Sequence, residues 1–141
     1  MKFLVINGVN LNMTGMREKG VYGNETLETI NAEIAEFCRK NGDEVEFFQS
    51  NIEGEICTKI QSCYNGDYDG VALNAGAFTH YSYAIHDAIR SVSTPVVEVH
   101  MSNVHAREEF RHTSVISPAC KGVIAGFGKK SYILALESFK Q

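Results

Sequence analysis

Residues 3–7, Phe3-Leu4-Val5-Ile6-Asn7, are four large apolar side chains in a row closed by an amide. A strand with one wet face alternates apolar and polar positions, so an unbroken run points to a strand covered on both faces. Runs at 71–74, 96–100 and 122–126 read the same way. A fifth strand at 44–48, Glu44-Val45-Glu46-Phe47-Phe48, alternates and is expected nearer a sheet edge.

Between these runs lie helical patterns. Thr26 is placed to cap a helix whose apolar residues Leu27, Ile30, Ile34 and Phe37 recur at helical spacing, and Gly42 is placed to end it. Ile56, Ile60 and Cys63 form a second stripe, closed near Gly66. Ala84, Ile85, Ala88, Ile89 and Val92 form a third, closed before Pro95. A short helix is expected over Arg107–Phe110 and a last one over Tyr132–Phe139. Five β–α repeats in 141 residues predict one domain, a parallel sheet with helices on both faces. The chain is too short for an eight-stranded barrel. Strand order is not legible from this pattern.

Polar residues gather where such folds place their sites, just past the carboxyl ends of strands: Asn7 and Asn10, Gln49 and Ser50, Asn74, and His100 with Ser102. That distribution points to an enzyme. The composition, 44% hydrophobic and 21% charged, is that of a water-soluble globular domain, and no apolar run approaches membrane-spanning length. The first residues fit a strand better than a signal peptide. A net charge of −4 disfavours bulk nucleic-acid or anionic-membrane binding, while leaving room for a local positive pocket. The four cysteines include no CxxC pair and read as reduced thiols of a cytoplasmic protein.

Several motif classes are missing. No G-x-G-x-x-G or G-x-x-x-x-G-K-[ST] loop supports a nucleotide, no G-x-S-x-G elbow a serine nucleophile, and no HExxH a zinc ion. His80, His100 and His105 can be counted as three metal ligands, but Arg107 and Arg111 close by would repel a cation and instead favour an anionic substrate. Glu98 and His100 share one side of their strand, so the carboxylate can orient the imidazole and stabilise its protonated form as a general acid. Arg17 and Tyr22 flank a glycine-bearing loop after the first strand. A phenol titrates near 10, and a cation within about 4–6 Å lowers such a value by roughly 1–3 units. The spacing allows that contact without requiring it, so a catalytic pair and a solvated turn both stand. What remains is acid–base chemistry on a small polar anion.

These residues, in this order, resemble the type II 3-dehydroquinate dehydratases, the type II dehydroquinases. The likeness is carried by Asn7-Gly8-Val9-Asn10-Leu11-Asn12, by Arg17-Glu18 with Tyr22-Gly23, by Gln49-Ser50-Asn51 with Glu53-Gly54, by Asn74 through His80, by Glu98-Val99-His100, and by Ser102 through Arg111. It implies a flavodoxin-like sheet of order 2-1-3-4-5 and a dodecamer built from trimers. It also implies anti elimination of water from 3-dehydroquinate to give 3-dehydroshikimate, with no metal and no cofactor. Tyr22, supported by Arg17, would take the proton beside the ketone; Asn10 would help hold a water against the enolate; His100, oriented by Glu98, would protonate the departing hydroxyl. Asn74, Met101 and Ser102 would grip the carboxylate and nearby hydroxyls, His80 and Arg111 the remaining ring hydroxyls. Asp87 would reach a neighbouring subunit's site, and residues 15–23 would form a lid. The chain departs from the family at Val9 and Ala75, where prolines are usual, and at Lys19, Phe78, Tyr81 and His86, without losing a proposed chemical group. A non-catalytic scaffold of the same architecture, binding a small anion or partner protein, is the alternative.

Overall fold

The computed structural model describes residues 1–16 and 25–140. Strands β1 (Lys2–Asn7), β2 (Glu44–Gln49), β3 (Gly70–Asn74), β4 (Val96–His100) and β5 (Gly122–Ala125) form one parallel sheet. Their order is 2-1-3-4-5, the flavodoxin-like arrangement. β1 shows why its run is unbroken. Phe3 and Val5 pack on one face with Ala72, Val97 and Val99, under α1 (Leu27–Lys40) and α4 (Lys130–Ser138). Leu4 and Ile6 pack on the other with Val71, Leu73 and Val96, under α2 (Glu53–Gln61) and α3 (Tyr83–Arg90). Each such side chain taken out of water contributes about 1.5–3 kcal/mol.

Local signals set the element ends. Thr26 and Thr29 form a reciprocal capping box at the start of α1, each side-chain oxygen accepting the other's backbone N–H. Gly42, at φ 72°, turns the chain away beyond its end. β2 lies at a sheet edge, as its alternation predicts, with Glu44 and Glu46 exposed. β5 forms the other edge, and its apolar run conceals this: Val123 is 49% exposed.

One expected element is corrected. No helix spans Arg107–Phe110; the chain makes three short 3-10 turns, Val104–Ala106, Glu109–His112 and Ser117–Ala119, with Arg107 extended between the first two. From 104 to 112 only Val104 and Phe110 are large apolar residues, too few for a packed helical face, and short helices without one are unstable. The β4–β5 crossover is therefore irregular, and this brings its side chains over the strand ends. The first connection runs from β1 to β2 on one side and the second crosses back over β1 to β3 on the other, so a crevice opens between the carboxyl ends of β1 and β3. Asn7 sits there in register with both Gln49 and Asn74. Among the described residues no helix is long and apolar enough to cross a membrane.

Candidate active site

A cavity of about 210 Å³ occupies that crevice. Asn10, Asn74, His80, His100, Met101, Ser102 and Arg111 all line it, together with Arg107, Met13, Thr14 and Val104. The residues come from the last positions of β3 and β4 and from the loops that follow β1, β3 and β4.

The first two loops interlock. A Cβ on Gly8 would lie 2.3 Å from the Ala75 carbonyl oxygen, and one on Gly76 would lie 2.7 Å from that of Val9. The Gly8 N–H donates to the Asn74 carbonyl at 2.7 Å. Val9 and Ala75 are thus held by backbone crossing. Gly8→Ala should force the loops apart at a cost of about 1–3 kcal/mol; a lowered urea midpoint at unchanged m-value checks it. Asn10 follows in the left-handed region at φ 69°, the only non-glycine residue there among those described. Asparagine tolerates that geometry. Its N–H donates to Asn51 Oδ1 at 2.9 Å, and Gln49 Nε2 donates to both the Gly8 carbonyl and Asn51 Oδ1. The end of β2 thereby braces the loop that carries Asn10 to the rim.

β4 supplies the floor. Glu98 and His100 face the same side, as strand periodicity requires, and Glu98 Oε2 lies 2.6 Å from His100 Nε2. Both are buried, Glu98 at 2% exposure and His100 at 6%. The other carboxylate oxygen, Oε1, accepts the Ser114 hydroxyl at 2.7 Å. Behind the pair lies Cys120, whose thiol is pushed up to about 12 by burial and by the Glu98 charge. Only the thiolate alkylates, so Cys120 should react roughly a thousandfold more slowly with iodoacetamide at mildly alkaline pH in the folded protein than an exposed cysteine. Mass-spectrometric mapping of timed aliquots checks this.

The remaining walls are polar and basic. His80 Nδ1 lies 2.8 Å from the Thr113 carbonyl, which can only accept. Nδ1 therefore carries a hydrogen, and in the neutral ring Nε2 offers a lone pair to a ligand hydroxyl. Arg111 stacks over Phe110, its guanidinium carbon 4.6 Å from the ring centroid, and pairs with Glu108 at 3.2 Å. Glu108 titrates below the usual carboxylate range, held there first by a backbone hydrogen bond and then by Arg111. Arg107 Nη1 donates to Ser102 Oγ at 3.4 Å. His105 does not join His80 and His100; its ring lies tilted by 41° against that of His112, with centroids 5.8 Å apart. Among the described residues no group of three His, Cys, Asp or Glu side chains is placed to hold a metal ion. Asp87 is exposed on α3 and does not line this cavity.

Two features escaped sequence reasoning. Tyr132, within the buried stripe of α4, donates to Asn7 Oδ1 at 2.5 Å and accepts from Asn74 Nδ2 at 3.0 Å. Asn74 Oδ1 accepts the Gly76 N–H, leaving Asn74 one amide hydrogen and one lone pair for a ligand. A tyrosine in an otherwise apolar stripe was the available signal, since a buried phenol usually finds a partner. Ser114 lies in an aperiodic segment and had no signal. Arg17 and Tyr22 lie outside the described residues. Among the described residues on either side, Gly15 and Glu25 approach closely, a Cβ on Gly15 lying 2.3 Å from the Glu25 carbonyl oxygen, and Lys129 ties Glu25 and Glu33 together.

The family model described as dehydroquinase class II matches residues 1–140. The chain belongs to this family. A 3-dehydroquinate dehydratase of Caldicellulosiruptor bescii is 58% identical over 140 residues, which cover 99% of this chain and 97% of that protein. The crystal structure of the type II dehydroquinase from Butyrivibrio crossotus matches with a TM-score of 0.97 and 54% identity, covering 100% of this chain and 98% of the other. That from Propionibacterium acnes matches with a TM-score of 0.93 and 41% identity, over 97% and 94% of the two chains. This membership agrees with the resemblance read from the separate sequence blocks, and the family's fold is the one described above.

Proposed function

We propose that the chain dehydrates 3-dehydroquinate to 3-dehydroshikimate, acting as a hydro-lyase by anti elimination through an enolate. The observation that carries this is a buried carboxylate–imidazole pair at the floor of a cavity walled by amides and arginines, in a chain of the class II dehydroquinase family. Loss of water next to an activated carbon needs a base for the α-proton, a partner for the oxyanion, and an acid for the departing hydroxyl. His100 is the acid. Glu98 holds one ring nitrogen and the other serves the substrate. Tyr22 is the base and Arg17 the cation that favours its ionised form. Asn10, presented at the rim by its left-handed backbone, holds the water that faces the enolate.

Binding follows from the same geometry. Arg111 and Arg107 give an anionic, polyhydroxylated substrate a positive wall. Asn74 offers its spare donor and acceptor, His80 its Nε2 lone pair, and the Met101–Ser102 turn its backbone and hydroxyl. Asp87, exposed on α3, is proposed to complete a neighbouring subunit's site in a trimer, with four trimers making a dodecamer. The chain is read as one cytoplasmic domain that works without metal or cofactor. The test is the ultraviolet absorbance of the conjugated enone product after mixing chelator-treated protein with 3-dehydroquinate, repeated after borohydride. A rise that survives borohydride supports an elimination without an imine. Binding without any rise would favour the non-catalytic scaffold.

A further inference from the structure

We infer that Ser114 is a positioning residue for the acid step, setting the Glu98 carboxylate that in turn sets His100; this rests on the dehydratase reading. Ser114 Oγ accepts the Ser117 N–H at 3.0 Å and lies 2.7 Å from Glu98 Oε1. A backbone N–H can only donate, so it occupies a lone pair of the hydroxyl, and the single hydroxyl hydrogen is left to point at the carboxylate. Each Glu98 oxygen then has a dedicated donor, Ser114 on Oε1 and His100 on Oε2. The carboxylate plane is fixed from behind, and the imidazole plane with it.

The segment that presents Ser114 is itself clamped. Its neighbour Thr113 offers its carbonyl to His80 Nδ1 at 2.8 Å. On the other side, the Val115 N–H donates to the Thr79 carbonyl at 2.9 Å, and the Val115 carbonyl accepts from His86 Nδ1 at 2.8 Å. His86, on α3, is thus a tether. These contacts join the β3–α3 connection and α3 itself to the β4–β5 crossover, so one clamp sets both a substrate-facing histidine and the carboxylate behind the acid. A turn serine kept only for its shape would need neither the hydroxyl direction nor the two histidine tethers.

The role is separated from a structural one by comparing Ser114→Ala, Ser114→Thr and Ser114→Cys with the parent chain, all with thermal unfolding recorded. Losing a hydrogen bond to a charged group corresponds to roughly a 10- to 100-fold drop in rate. The expected result is a fall of that size in kcat for Ser114→Ala, with KM changed less than about twofold, and with exchange of the substrate α-hydrogen into deuterated water retained. Ser114→Thr, which keeps the hydroxyl, should recover most of the loss. Ser114→Cys keeps the volume but donates weakly, so it should behave like alanine even if alanine folds poorly. The His100 ring N–H proton resonance should move in the alanine and cysteine variants and stay in threonine. Parent-like kcat in Ser114→Cys, or equal losses of kcat, KM and exchange in all three, would overturn the inference. A parent chain without dehydration but with a His100 resonance that responds to Ser114 would count against the dehydratase reading instead.

Discussion

Replacing Tyr22 by phenylalanine is expected to lower turnover by roughly 10²–10⁴-fold, the usual contribution of a positioned general base. The substitution removes one oxygen and leaves the ring, so substrate should still bind to the walls built from Asn74, His80 and Arg111. Calorimetric titration should therefore give an affinity within a few-fold of the parent chain while the enone signal nearly vanishes. Exchange of the α-hydrogen should vanish with it, because the base acts before anything leaves. Near-normal turnover would remove Tyr22 from the mechanism and assign proton abstraction elsewhere.

His100→Ala should reduce dehydration by a comparable factor, but with a different pattern. In the proposed mechanism another group takes the proton beside the ketone, so deuterium should still enter the recovered substrate. Turnover fails at the later step, when hydroxide has no donor. Glu98 would also be left without its imidazole in a site where it is 2% exposed, so a loss of stability of about 3–5 kcal/mol from an uncompensated buried charge should accompany the kinetic loss. A stability measurement must therefore be paired with the rate. If exchange and dehydration fell together in a folded variant, His100 would be acting on enolate formation and not on the leaving group.

The residues at the ends of the buried strands, His100 among them, stood out before any coordinates, and the reason lies in how the fold uses its chain. β1, β3 and β4 are buried on both faces, so the first polar residues at their carboxyl ends, Asn7, Asn74 and His100, stand out against apolar runs. Glu98 breaks its run from within and is visible for the same reason. Strand limits came within about a residue of those observed because burial changes sharply there. The β4–β5 crossover was read less well. Its 3-10 turns follow no hydrophobic period, and its side chains are placed by long-range hydrogen bonds such as those of His80 and His86 to residues about thirty positions away. Ser114 belongs to this class: its meaning depends on Glu98, sixteen residues earlier and on another element. Val123 was misjudged for the converse reason, since an apolar run looks the same in a covered strand and at an edge.

The buried Glu98–His100 pair also bears on how this protein could be engineered. Two ionisable side chains in the floor of the sheet hold the molecule below the stability it could reach, because a well-packed apolar pair of similar volume is often neutral or better by about 1–4 kcal/mol. A library varied jointly at these two positions and sorted only by heat resistance would enrich aliphatic combinations. The survivors would be hardier than their parent and chemically silent. Thermal selection on this scaffold therefore has to be coupled to a readout of the proposed reaction, or it will discard the buried imidazole proposed as its acid.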